Sequence, residues 1–399
     1  MAVESKVNRQ ATCSAPVNIA VIKYWGKRDE KLILPTNSSL SATLDQADLK
    51  TTTSVALSSE FDSDRLWLNG KEESITNPRL QNVLQKIRSL ASERAQTDEE
   101  KAVLDAHVHI VSVNNFPTAA GLASSASGYA CMVYTLAQVY GVTDYELSKI
   151  ARVGSGSACR SMYGGWVAWN MGTRDDGDDS FAEQTHLADH WPGMKILILV
   201  VSDRKKGTSS TSGMGTSVRT SELLQHRITE VVPKRMAAIK EAIEARDFAQ
   251  FGEITMRDSN QFHAVCLDTY PPIFYMNDTS KAVVQMVTQY NTMKGEVKAA
   301  YTFDAGPNAV IYAMEDAMAE IASLTSHFFP STTPDTFFRG TTTAPPAPSA
   351  ELLSHFTIAQ QPEDSLQYGI NTQPGPGPQV LTDEECLLDS SGLPKATSA

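Results

Sequence analysis

Apolar positions recur along this chain with two different periods, and the switches between them outline the fold. Short β-branched and aliphatic runs occupy residues 17–24, 40–44, 51–57 and 108–113, each of strand length. Residues 65–69, followed by Gly70-Lys71, read as half of a hairpin. Leu80, Val83, Leu84, Ile87 and Leu90 instead fall on one stripe at helical spacing, with Asn77 as N-cap and Pro78 at the first helical position. Helical patterning returns at about 121–140 and 144–153. The apolar run 195–201 predicts a buried strand, and helical segments follow over roughly 217–245, 247–265 and 279–293. Strands at 297–303 and 309–312 are joined by Asp304-Ala305-Gly306-Pro307, and a helix covers about 315–327.

This alternation predicts an α/β chain. An acidic stretch at 173–189 predicts a solvated loop near a domain boundary. From residue 341 the chain turns rich in proline and glycine, with Ala344-Pro345-Pro346-Ala347-Pro348 and Pro374-Gly375-Pro376-Gly377-Pro378. The expected division is an N-terminal domain at 1–190, a C-terminal domain at 191–340 and a loosely ordered tail at 341–399.

A length of 399 residues suits two domains. The formal charge of −12 argues against a nucleic-acid partner, whereas small anions answer to local charge and stay admissible. Cys13, Cys131, Cys159, Cys266 and Cys386 are scattered with no CxxC pair, which predicts free thiols in a reducing compartment. The histidines form no HExxH, and His107 and His109 alternate along a strand-like run, so no protein-held metal centre is expected. There is no apolar leader, no run long enough for a bilayer and no peroxisomal tripeptide, so a cytoplasmic protein with no membrane partner is expected.

Five stretches could carry chemistry, and each also has a plain structural reading. Pro117-Thr118-Ala119-Ala120-Gly121-Leu122-Ala123-Ser124-Ser125-Ala126-Ser127 lies between a strand and a helix. Its small residues and the N–H groups of the helix start suit a phosphate; equally, a small-residue helix can simply pack close to a sheet. Lys23 ends the apolar face of Ile19 and Val21, either meeting an anion or snorkelling to water from an edge. Gly154-Ser155-Gly156-Ser157-Ala158-Cys159-Arg160 is an anion cradle, or a helix end capped by Gly154 with a surface arginine. Gly207-Thr208-Ser209-Ser210-Thr211-Ser212-Gly213 is a linker or a set of phosphate-facing hydroxyls. Asp304 opens a Gly-Pro turn, a common local arrangement.

In this order along the chain, these stretches resemble the GHMP superfamily of small-molecule kinases, over about residues 17–327. Its phosphate loop, Pro-x-x-x-Gly-Leu-x-Ser-Ser, is matched by Pro117 to Ser125. Where those kinases have a glycine-rich turn, this chain has Asp304-Ala305-Gly306-Pro307, as the superfamily's ATP-dependent decarboxylases do. The resemblance implies a two-domain α/β (α+β) fold, with an N-terminal domain like ribosomal protein S5 domain 2 and a ferredoxin-like C-terminal domain. It implies the use of ATP and Mg²⁺ to convert (R)-5-diphosphomevalonate to isopentenyl diphosphate by transient phosphorylation of the C3 hydroxyl, a step toward isoprenoids and sterols, in a homodimer. Asp304 would then act on the C3 hydroxyl, Lys23 would offset developing charge, and Arg160 with Asn18 would hold the substrate carboxylate. Tyr24, Trp25, Gly26, Lys27, Arg79, Ser155, Gly156, Ser157, Ala158, Cys159, Ser210 and Thr211 would contact the substrate. Asn114, Pro117, Gly121, Leu122, Ala123, Ser124, Ser125 and Ser127 would hold ATP, with Ser124 or Ser125 placing its γ-phosphate.

Overall fold

The computed structural model describes residues 9–116, 124–201, 207–340 and 345–395. A six-stranded sheet runs in the order Gln379–Val380, Arg9–Pro16, Lys50–Ser58, His107–Asn114, Arg65–Leu68, Lys71–Glu73. One face carries Cys13, Val55, Leu57, Val108 and Ile110 and packs on the helices Pro78–Arg94, Ser124–Tyr140 and Leu147–Gly154. Of the expected stripe, Leu80, Val83, Leu84 and Ile87 are the buried face of the first of these, capped by Asn77, and Leu90 packs partly buried against the same core. A four-stranded sheet, Ala182–His186, Trp166–Trp169, Ser39–Thr43, Asn18–Ile22, packs on the helices Val232–Ala245 and Phe248–Asp268. The pair Trp166–Trp169 and Ala182–His186 turns part of the expected acidic loop into an edge strand.

The third sheet is Ala299–Phe303, Ala309–Met314, Met194–Val200, Tyr368–Thr372, Phe338–Gly340. Its strand Met194–Val200 is apolar without alternation because both faces are covered. Ile196, Ile198 and Val200 join one core, while Leu197 and Leu199 join the core beneath the helices Asp278–Lys294 and Glu315–Phe328. The long helical pattern after residue 207 is divided into Ser210–Thr220, Glu222–His226, a π-helical turn Arg227–Val231, and Val232–Ala245.

The tail corrects the expectation of loose order. Tyr368–Thr372 pairs antiparallel with Met194–Val200 and parallel with Phe338–Gly340, and all five residues are buried. Gln379 and Val380 pair with Ser14 and Cys13, and Cys386 and Leu388 cover Phe61 and Trp67 on the outer face of the first sheet. The Pro/Gly run is tightly packed rather than slack. Gly375 donates to Thr43 O and accepts from Gly165 N–H, both at 2.9 Å. A Cβ at Gly375 would lie 2.4 Å from the Asp45 Cα, so glycine is there for close backbone approach. Gly375→Ala is expected to destabilise the protein by about 1–3 kcal/mol through overpacking. The readout is a lower denaturant midpoint at constant m-value; an unchanged midpoint would show that this crossing can relax.

Candidate active site

Residues far apart in sequence converge on one cleft of about 380 Å³, among them Asn18, Lys23, Arg160 and Asp304. The strand Asn18–Ile22 loses register with its neighbour between Ala20 and Ile22, and Lys23 leaves it at that irregularity. Its ammonium is 3% exposed and lies 2.5 Å from the Asp304 carboxylate, which keeps 33% exposure to the cleft. Lys23 is thus a buried, paired cation that does not snorkel to water, although its strand is the edge of the sheet.

Arg160 sits on the short 3₁₀ helix Gly156–Met162 and is 2% exposed. Its guanidinium donates to Ser39 Oγ at 2.6 Å, Ser41 Oγ at 3.0 Å and Asn18 Oδ1 at 3.3 Å. Asn18 is itself fixed by donating to Ser157 O and Ser161 Oγ. Among the described residues no carboxylate pairs with Arg160. Burial pulls this guanidinium below its ordinary value, opposed by Cys159 and Asp304 nearby. A buried cation whose direct hydrogen bonds, among the described residues, go to neutral oxygens is expensive unless an anion completes it.

Several helix starts face the same space. Arg79 stands at the start of Pro78–Arg94 and donates to Thr211 Oγ1 at 3.1 Å across the cleft. Ser209 caps Ser210–Thr220, and Ser209, Ser210 and Thr211 line the wall, so the stretch read as linker or phosphate contact is a helix start. Ser124 and Ser125 open Ser124–Tyr140, and Ser155, Gly156 and Ser157 open the arginine-bearing 3₁₀ helix. First-turn N–H groups and dipole ends favour a polyanion here. Lys27 adds a cation paired with Glu30 at 2.7 Å. Tyr24 stacks edge-on against Trp169, and burial pushes its phenol up.

A second cavity of about 300 Å³ shares Ser124 and Ser125 with the first. Its wall mixes Leu66, Leu68, Tyr129 and Met132 with Asn69 and Asn114, a slot for a flat heterocycle with polar edges. Of this wall, the sequence singles out Asn114, Ser124 and Ser125 as ligand contacts. Pro117, Gly121, Leu122 and Ala123 lie outside the described residues. Ser127 turns away from both cavities: it is buried, accepts from Thr51 Oγ1 at 2.7 Å, and serves the close packing of its helix on the sheet.

Of the other expected contacts, Gly26 lies behind the wall, with φ +96° and no room for a Cβ beside Thr36, while Trp25 lines the cleft and donates to Ser217 Oγ at 2.9 Å. Ala158 and Cys159 are fully buried beneath the cradle. Burial pushes the Cys159, Cys131 and Cys266 thiols up to about 12 and Cys13 to about 11. A thiol reagent near pH 8 is expected to spare these four in the native protein and reach all five cysteines in denaturant; rapid native modification of Cys159 would make it a cleft residue. Met214 and Phe262 line the cleft without any local sequence signal.

Two family models match the chain: a diphosphomevalonate decarboxylase-like N-terminal domain over residues 15–182, and a mevalonate 5-diphosphate decarboxylase C-terminal domain over residues 196–381. Diphosphomevalonate decarboxylase of Danio rerio is 54% identical over 389 residues, covering 97% of each chain. The structure of mevalonate diphosphate decarboxylase from Trypanosoma brucei is similar at a TM-score of 0.85 and 39% identity, over 95% of this chain and 100% of that one. A structure described as MDDEF in complex with MVAPP, AMPPCP and magnesium is similar at a TM-score of 0.71 and 30% identity, over 94% and 99%. With its two-domain α/β architecture and both halves matched, the chain belongs to the diphosphomevalonate decarboxylase family, enzymes that decarboxylate mevalonate diphosphate at the expense of ATP.

Proposed function

We propose that the cleft binds (R)-5-diphosphomevalonate with its carboxylate on Arg160, its C3 hydroxyl at Asp304 and its diphosphate among the helix starts. The carrying observation is Arg160: a buried guanidinium that pairs with no carboxylate among the described residues, in the same cleft as the Lys23–Asp304 pair. ATP would occupy the second cavity, its phosphates reaching the first at Ser124 and Ser125. The oxygen donors at that junction suit magnesium, which keeps much of its coordination to phosphate and water and neutralises phosphate charge when bound.

The chemistry then follows from position. Asp304 takes the proton of the C3 hydroxyl as that oxygen bonds to the γ-phosphorus and ADP departs. Lys23, beside Asp304, offsets negative charge on the transferring group. The C3–O bond next breaks, phosphate leaving with the electron pair. The C1–C2 bond breaks as CO₂ departs, and its electrons form the C2–C3 double bond of isopentenyl diphosphate. Arg160 holds C1 as carboxylate through phosphoryl transfer and releases it as neutral CO₂, for which a cation has little affinity.

Incubation with Mg-ATP and C1-labelled substrate should release labelled CO₂ and ADP in equal amounts; ADP without labelled CO₂ would replace this reading with a kinase that stops at phosphorylation. We further propose a cytoplasmic homodimer, read by sedimentation velocity and fractionation. We propose the domain division near residue 190, a position between the strands Ala182–His186 and Met194–Val200.

A further inference from the structure

Lys23 and Asp304 come from strands of different sheets, 281 residues apart, yet their charged groups meet at 2.5 Å. One helix, Phe248–Asp268, touches the backbone beside both. Its Asp258, fully buried, accepts from the Lys23 N–H at 2.7 Å. The next residue, Ser259, accepts on its hydroxyl from the Phe303 N–H at 3.0 Å, one residue before Asp304. Arg227, also fully buried, sits in the π-helical turn and closes the grip from the other side. It donates to Lys23 O at 3.0 Å and to both Asp258 oxygens at 2.8 and 2.9 Å. Arg235 adds a fourth bond to Asp258 at 3.1 Å, and Asn37 a second to Lys23 O at 3.0 Å.

Nothing about the packing of this helix requires an ion pair here. Asp258 falls on a stripe with Phe251, Thr255, Phe262 and Val265, positions that face the core. Burial alone raises its carboxyl, but Arg227 and its bonds bring it below the ordinary range, so it stays an anion. A buried pair of this kind is seldom worth its desolvation in stability, and its best-supported use is to fix one arrangement. Both peptide N–H groups bond to side chains of adjacent residues on one rigid helical turn, so the two anchored segments share one support.

We propose that Asp258, Ser259 and Arg227 are positioning residues that set the separation of Lys23 and Asp304. This rests on the reading that Lys23 and Asp304 carry the chemistry. A misplacement of about 1 Å at such a pair lowers turnover by up to about 10²-fold. The test uses Ser259→Ala, which removes one hydroxyl, and Asp258→Asn combined with Arg227→Met, which deletes both buried charges together. Each is expected to lower kcat by about 10- to 100-fold, with KM for both substrates within about threefold. Measured by single-turnover CO₂ release in a Lys23→Met background, the same changes should have at most about a twofold effect, because they act through the pair already removed. Ser259→Ala decides the matter on its own. If that variant, native by near-UV circular dichroism, keeps kcat within twofold, the proposal is overturned. A loss equally large with and without Lys23 overturns it too. The unsubstituted enzyme is run alongside: if it releases no CO₂, the reading of the site fails, whereas parent-like CO₂ release by Ser259→Ala sinks only the positioning role.

Discussion

Asp304→Asn is expected to lower kcat by about 10²–10⁴-fold, the range for removing a positioned general base. Asparagine keeps the shape of the side chain and loses the ability to take the C3 proton. Binding should survive, since the proposed diphosphate and nucleotide contacts lie on other elements. Folding should survive as well. Lys23 loses its ion pair, but the cleft reaches the partner position, which is 33% exposed, so water can take over part of that role. A cost of about 1 kcal/mol is reasonable for a pair open on one side. The measurements are steady-state turnover, ATP-analogue affinity and thermal unfolding of the same preparation. A kcat within tenfold of the parent would remove Asp304 from the chemistry.

Arg160→Met should separate function from stability in the opposite sense. Truncating one partner of a buried, hydrogen-bonded charge pair costs about 3–4 kcal/mol, so kcat/KM should fall by roughly 10²–10³-fold. The ligand-free protein should not pay for this. It currently holds a cation that is 2% exposed against Ser39, Ser41 and Asn18, none of them charged. Methionine fills similar space without that desolvation, so Tm should stay level or rise, offset by three lost hydrogen bonds. Substrate should also raise the Tm of the parent and much less that of the variant, by linkage. A fall in Tm with activity retained would make Arg160 structural.

Much of the fold was legible where burial leaves a period. The stripe Leu80, Val83, Leu84, Ile87 and the two-faced strand Met194–Val200 depend on their own neighbours in sequence, and both formed where expected. The tail was misread because proline and glycine signal two things, a chain that does not pack and a backbone that packs too closely for side chains. Composition cannot separate them; the 2.4 Å clearance at Gly375 does. Within the site, residues in distinctive local motifs were found: Lys23, Arg160, Asp304 and the helix-start serines. Asp258 and Arg227 were not, since a charge in a helix usually faces water. The available signal was position: Asp258 occupies the stripe of Phe251, Thr255 and Phe262, where a solvated charge has no place. The slot lined by Leu66, Tyr129 and Met132 was hidden for another reason, as each of these residues reads as ordinary core.

The placement of Tyr368–Thr372 has a consequence for synthesis. Met194–Val200 gains Ala309–Met314 on one side, but its other side waits for a strand made 168 residues later than Val200. At about 5–20 residues per second, that side of an apolar strand stays bare on the ribosome for on the order of ten to thirty seconds, and both sides are bare until Ala309–Met314 is made. The outer edge of Arg9–Pro16 waits longer still for Gln379–Val380. Maturation of both sheets is therefore a late event in translation, and a nascent chain stalled before residue 368 would present two unpaired edges to whatever binds open β-structure in the cell.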